Sequence, residues 1–287
     1  MPRKDPALLR AGSTATITPS KGLNVALTPE QVKELAHALH RAEHTKEPLE
    51  PLTEQYPDID IADAYAIQLE GIRERMEAHG GQIVGWKVGL TSRAMQQMLN
   101  VDQPDFGHLL DSMRLDEGSD IDCADMIWPR VEPEVAFQLK VDLRGPGVTA
   151  EQVVTATEFL IPSLEVIDSR VKDWKIKLCD TIADNASCSR FVLGRQRTPI
   201  EGLDVRLIGM NYYLNGELVS TATSAAVIGN PAEAVAWLAN TLAPYGHYLH
   251  AGQVIMPGSL VAAVDAKPGG HIRADFDHIG SVELRLR

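Results

Sequence analysis

The chain has 287 residues, with 27 Lys+Arg against 39 Asp+Glu, a formal net charge of −12. That balance argues against a nucleic-acid binder, which needs a cationic surface, and the basic runs at 172–177 and 195–197 are short. With 44% hydrophobic and 23% charged residues, the chain is too apolar to be disordered throughout and long enough to bury a core without staples.

No apolar run approaches the roughly 18 residues of a spanning helix, so no membrane association is expected. The first 25 residues lack the apolar stretch of a secretory signal. Three cysteines, Cys123, Cys179 and Cys188, form no CxxC pair, which suits a reducing cytoplasm. HExxH, GxGxxG and GxxxxGK[ST] are all missing.

Residues 1–27 mix Pro, Ser, Thr and Gly without apolar period and read as a flexible tail. Thr28-Pro29-Glu30-Gln31 carries the signature of a helix start: an N-cap, a proline at the first position and a capping box. Val32, Leu35, Ala36 and Leu39 then follow helical spacing. A Pro-containing loop at 49–57 leads to a second helix at 61–80, closed by Gly80-Gly81. Residues 28–82 thus form a small helical region, and residues 83–287 a β-rich domain. Strands are predicted at 83–90, 131–140 and 163–167, a helix at 149–160 and a short one at 92–99. Asn215-Gly216 between two apolar runs is the strongest hairpin signal. Asn230-Pro231 opens an amphipathic helix, and the last 38 residues alternate short strands with turns.

Val131 to Phe137 is the most informative stretch. On a strand, Glu132 and Glu134 share one face, about 6.6 Å apart. Their carboxylates can converge on one cation, the alternative being a solvated face. Pro133 between them removes a backbone donor, so interrupted pairing is expected there. Glu165 sits in an apolar run after Pro162, where an ionised acid is costly unless paired or metal-bound. A buried ion pair with Arg130 or Arg170 is its bland explanation. Three converging carboxylates repel by roughly 4 kcal/mol per pair at 4 Å and an effective dielectric near 20. An all-oxygen set without His or Cys suits Mg2+ or Mn2+.

Lys87 lies inside the Gly-flanked apolar run Gly85-Trp-Lys-Val-Gly89. Desolvation lowers a lysine pKa and equips it to move protons, whereas a snorkelling lysine does not. Val101 to Gly107 reads as a turn, in which Asp105 is either a general base or a capping residue. Asp180 to Cys188 is a small polar run, either a loop facing a ligand or a plain capped loop. Cys188 reads as a packed residue, and His247, His250, His271 and His278 as surface residues near turns.

From about Thr28 to the C-terminus these stretches resemble the fumarylacetoacetate hydrolase superfamily. The likeness is greatest to its 2-hydroxypenta-2,4-dienoate (2-keto-4-pentenoate) hydratases and 4-oxalocrotonate decarboxylases. It is carried in order by Lys87-Val-Gly-Leu-Thr-Ser92, Val101 to Gly107, Pro129-Arg-Val-Glu-Pro-Glu134, Leu164-Glu-Val-Ile-Asp-Ser-Arg170, Asp173-Trp-Lys-Ile-Lys177, Asp180 to Cys188 and Gly229-Asn-Pro231. The resemblance implies an α+β fold, a mixed β-roll or sandwich with flanking helices. It implies Glu132, Glu134 and Glu165 as metal ligands, Lys87 and Asp105 as the proton-handling pair and Ser187 as an active-site serine. Ser189-Arg190-Phe191 reads more like the decarboxylases, with Arg190 meeting a second substrate carboxylate.

The activity so implied is hydration of 2-hydroxypenta-2,4-dienoate to 4-hydroxy-2-oxopentanoate in aromatic meta-cleavage catabolism, with Mg2+ or Mn2+. Its alternative is decarboxylation of 2-oxo-3-hexenedioate, and a remote one is a non-catalytic partner in a pathway complex. Acylpyruvate hydrolysis is weaker, because no His–Glu dyad lies near the right motifs. The expected partners are a small dienoate, further copies of the chain and a pathway aldolase or decarboxylase, in the cytoplasm.

Overall fold

The computed structural model describes residues 26–92, 96–97, 101 and 103–287. Residues 1–25 of the expected tail and most of the helix expected at 92–99 lie outside the described residues. The helical region holds α1 (Pro29–Thr45), the short α2 (Leu52–Gln55) and α3 (Ile61–His79). Thr28 caps α1 through a reciprocal capping box with Gln31, and Asp60 does the same for α3 with Asp63. Both helices bury apolar stripes, Leu35, Ala36 and Leu39 on α1 and Ala64, Ile67 and Ile72 on α3.

The rest is built on two sheets. The larger begins with β1 (Ile83–Gly89), β2 (Asp105–Leu110) and β3 (Arg114–Leu115), and continues with β5 (Arg130–Leu139), β6 (Thr157–Ile167), β7 (Cys188–Leu193) and β8 (Thr198–Pro199). Two late strands, β11 (Val254–Met256) and β12 (Val264–Asp265), complete it. Its order is β2-β1-β11-β5-β6-β7-β3, with β12 on β5 and β8 on β6. The smaller sheet runs β10-β9-β13-β14-β4. It contains β4 (Asp120–Ile121), the Asn215-Gly216 hairpin of β9 (Gly209–Leu214) and β10 (Glu217–Thr223), and the pair β13 (His271–Phe276) and β14 (Gly280–Leu286).

The two sheets share one apolar core. Val131, Val135, Phe137, Leu164, Val166 and Val192 pack in the same cluster as Ile272, Ala274, Phe276, Val282 and Leu284. Helix α4 (Ala150–Ala156) and α6 (Pro231–Leu242, capped by Asn230) cover one side of it. A further helix, α5 (Leu178–Ala183), runs into a 3-10 turn at Asn185–Ser187.

Three local expectations are corrected. The helix expected at 149–160 stops at Ala156, and 157–160 instead opens β6, where Leu160 is fully buried. Asp105 lies at the start of β2, with Gly107 paired to Lys87, rather than in a turn. Pro133 does not interrupt the ladder: it pairs with Leu164 in an unbroken register from Arg130↔Ile167 to Gln138↔Phe159. Its carbonyl accepts from Leu260 N–H at 3.2 Å, away from β6. On a strand a residue's N and C=O point to the same side, so the missing N–H falls in the gap between β11 and β12.

Candidate active site

Register decides which acids meet. Glu132 lies directly opposite Glu165 in the β5/β6 ladder, and Glu134 opposite Ser163. One carboxylate oxygen from each of Glu132, Glu134 and Glu165 lies within 4.8 Å of the others. Glu134 and Glu165 are completely buried. Gly258 N–H donates to Glu134 Oε2 at 2.8 Å, while Glu134 Oε1 and both oxygens of Glu165 are buried without a hydrogen-bond partner. Neither Arg130 nor Arg170 neutralises Glu165: they pair with Asp265 and Asp184.

Burial, then Glu165, pushes the Glu132 carboxyl up to about 7 against Lys87 and Arg130. Burial, then Glu165 and Glu132, pushes Glu134 well above the carboxylate range. Buried carboxylate oxygens that lack a hydrogen bond are expensive. An oxygen-only donor set that leaves lone pairs unused fits a hard divalent cation.

Lys87 on β1 faces this triad. Its Nζ stands 3.5 Å from Glu165 Oε1 and donates to the Ala186 carbonyl at 2.9 Å. It is 4% exposed, so the snorkelling alternative is excluded. The expected pKa depression is reversed. Burial does oppose the charge, but Glu165, Asp105 and Glu132 outweigh it and hold the ammonium above its ordinary value. Asp105 is also buried. Thr181 Oγ1 donates to its Oδ2 at 3.2 Å, and its Oδ1 has no hydrogen-bond partner. Burial raises its carboxyl more than Lys87 and Thr181 lower it. Lys87 and Asp105 converge over Gly89: a Cβ there would lie 2.2 Å from Asp105 Oδ1 and 3.2 Å from Lys87 Nζ. Glycine is required at that position for the approach.

Asn185, Ala186 and Ser187 all adopt left-handed φ, at 54°, 50° and 56°. Three such non-glycine residues in a row are held by their surroundings. Asn185 clamps β2, accepting from His108 N–H at 2.8 Å and donating to His108 O at 3.0 Å. Arg170, fully buried, pairs with Asp184 and donates to the Asp168 carbonyl at 2.6 Å. The loop thereby presents the Ala186 carbonyl to Lys87 and Ser187 to the cavity.

Sequence reading missed Gln68 as part of this frame. Its amide nitrogen donates to Phe106 O at 2.9 Å and Ile182 O at 2.7 Å, next to Asp105 and Thr181. Its Oε1 therefore accepts, so His108 carries its proton on Nδ1, 3.0 Å away. A polar residue on the apolar stripe of α3 was the available signal. Cys188 is buried, and burial followed by Glu165 pushes its thiol well up, which suits packing rather than attack. Arg190 is corrected: its Nη1 lies 3.7 Å from Glu43 of α1, and it does not line the cavity. Of the four histidines expected at the surface, none is buried.

Lys87, Asp105, Glu132 and Ser187 line one cavity of about 510 Å3, walled by Leu90, Ile167, Ile176, Leu260 and Val261. A mixed α+β fold with buried acids beside a lysine that lines a cavity has the build of an enzyme site. The chain belongs to the fumarylacetoacetate hydrolase family: residues 87–287 match the family model described as fumarylacetoacetate (FAA) hydrolase C-terminal. It is 46% identical over 250 residues to 2-hydroxyhexa-2,4-dienoate hydratase of Comamonas testosteroni, covering 86% of this chain and 94% of that one. It is 48% identical over 216 residues to 2-hydroxypent-2,4-dienoate hydratase of Pseudomonas putida, covering 75% and 97%. Among solved structures it resembles 4-oxalocrotonate decarboxylase from Pseudomonas putida G7 complexed with magnesium and adipate. The TM-score is 0.88 at 40% identity, covering 92% of this chain and 100% of that one.

Proposed function

We propose that the chain is a divalent-cation-dependent hydratase. It converts 2-hydroxypenta-2,4-dienoate, through the 2-oxo-3-enoate tautomer, to 4-hydroxy-2-oxopentanoate. The observation that carries this reading is the convergence of three acids, with buried oxygens that lack a hydrogen bond, at a cavity lined by Glu132, Lys87 and Asp105. Glu132, Glu134 and Glu165 would hold the cation, Mg2+ or Mn2+. When bound, it supplies positive charge to the carboxylate and 2-oxygen of an α-oxo acid and so favours enolisation.

The chain's own groups handle protons and water. Asp105, its carboxyl raised by burial, takes the proton of the substrate 2-hydroxyl and returns one to C5, which ketonises C2, leaves a 3,4-double bond and restores the carboxylate. Water then adds at C4, losing a proton, and C3 gains one. The Lys87 ammonium, fixed by Glu165 and the Ala186 carbonyl, is the donor beside the developing enolate oxygen. Such general acid–base steps contribute typically about 10² to 10⁴-fold. Ser187 orients substrate or water. The apolar walls limit the water that enters.

Decarboxylation of 2-oxo-3-hexenedioate is the second reading, favoured by the likeness to a solved decarboxylase. A non-catalytic role is disfavoured, because buried acids that destabilise the chain have no use there. No helix among the described residues is long and apolar enough to cross a membrane. A cytoplasmic homo-oligomer working beside a pathway aldolase or decarboxylase fits this chemistry.

The test mixes chelator-stripped protein with each substrate, with and without Mg2+ or Mn2+. Cation-dependent loss of the pentadienoate absorbance, with 4-hydroxy-2-oxopentanoate formed, is expected. CO2 release from 2-oxo-3-hexenedioate with the pentadienoate untouched would establish the decarboxylase instead.

A further inference from the structure

Arg130 precedes Glu132 by two residues on β5, so their side chains share a face about 6.6 Å apart. Both line the cavity. A substrate whose C1 end lies at the acids therefore has Arg130 in the wall of the same cavity. A guanidinium there is an obvious receptor for a distal substrate carboxylate.

Its environment argues otherwise. Asp265 on β12 is the direct cross-strand partner of Arg130, and its Oδ1 lies 3.3 Å from Arg130 Nε. The guanidinium also lies over Trp174, 4.6 Å from the ring centroid, and 5.9 Å from that of Trp128. Strand register and the ring contacts therefore set the cation beside an anion already in place, a partly exposed pair in which Arg130 lines the cavity and Asp265 stands behind it. A second carboxylate arriving here must compete with Asp265 for Arg130 and meet its negative charge. An uncharged tail carries no such penalty, and the same cavity offers it the Trp174 ring and the apolar side chains of Ile167, Ile176 and Leu260. At about 510 Å3 the cavity also exceeds what a five-carbon acid fills.

We infer that the Arg130–Asp265 pair is a specificity device that selects 2-hydroxy-2,4-dienoates with an uncharged, extended distal end and rejects dicarboxylates. The inference rests on the hydratase reading for the placement of the substrate's C1 end. Asp265 repels the wrong substrate, and Arg130 keeps Asp265 in position.

Binding tests this without requiring turnover. The Mg2+-loaded chain is titrated calorimetrically with 2-oxohexanoate and with 2-oxohexanedioate, which share the C1 end and length and differ in the distal group. The wild-type chain should bind the monoacid roughly 5- to 10-fold more tightly, the scale of one partly exposed like-charge contact. Asp265→Asn should erase or invert that ratio, because Arg130 is then open to the distal carboxylate. The double variant Arg130→Leu, Asp265→Asn should not gain the diacid. Equal binding of both acids by the wild type, or an unchanged ratio in Asp265→Asn, overturns the inference and leaves the hydratase reading intact. Failure to bind either acid overturns both.

Discussion

Arg170 and Asp184 form an ion pair shut off from solvent, and the loop that carries Ala186 and Ser187 hangs from it. Asp184 Oδ2 also accepts from Arg170 N–H at 3.0 Å, and the Asp184 carbonyl from Ser187 N–H at 3.0 Å. Burial pushes the Asp184 carboxyl up to about 6 against the pull of Arg170. Asp184→Asn leaves a buried guanidinium without its counter-charge and should cost about 3–5 kcal/mol in urea unfolding. Asp184→Leu combined with Arg170→Met should cost less than Asp184→Asn alone. A loss below 1 kcal/mol for the single change would show that the pair does not hold the loop.

The acids should be a liability to the chain without its cation. Glu134→Gln removes the repulsion of a completely buried acid by Glu165, also completely buried, and by the partly buried Glu132. In the presence of chelator it should unfold later than the wild type, by about 1–2 kcal/mol. The same change should abolish stabilisation by Mn2+, because a ligand is lost. Thermal melts with and without Mn2+ measure both. Retained Mn2+ stabilisation in Glu134→Gln contradicts the ligand assignment.

Lys87→Met keeps the length of the side chain and removes the ammonium. Turnover should fall about 10² to 10⁴-fold with a smaller change in KM, because the charge matters most as the enolate develops. A KM increase with kcat unchanged would make Lys87 a substrate anchor instead.

His108 is buried, and burial followed by His247 holds its imidazole down at about 3. Its unfolded value lies near 6.5. The unfolded chain therefore takes up the proton first as pH falls. Stability from neutral His108 is complete above pH 6.5 and declines between 6.5 and about 3, by at most roughly 1.4 kcal/mol per pH unit. Asp184, raised by burial, runs the other way, so the comparison must be with His108→Asn at each pH. The wild type should lose stability relative to that variant as pH falls from 6.5 to 4. A constant difference across that range would refute the assignment.

Much of this site was legible because a strand imposes a period of two. Glu132 and Glu134 had to share a face, and an acid in the apolar run around Glu165 demanded a partner. The partner's identity was not legible. Glu165 meets Lys87 through β1 and β11, which sequence order does not bring beside β5 and β6. The strand position of Asp105 was hidden for a related reason: Pro104 and Gly107 look like turn residues, yet Gly107 admits the Asn185 carbonyl against β2. Arg190 misled because its neighbours in sequence face the site while its charge is met by Glu43, far away in the chain. Burial, followed by opposing contributions from Arg75, Arg170 and Arg190, leaves Glu43 at about 2.

The most direct measurement follows the reaction by proton NMR in D2O with 2-hydroxypenta-2,4-dienoate and Mg2+ or Mn2+. At early times the expected product is 4-hydroxy-2-oxopentanoate with one deuteron at C5, one at C3 and the new hydroxyl on C4, with no reaction after chelation. Product formed equally well without a divalent cation, or no hydration product at all, would contradict the hydratase reading.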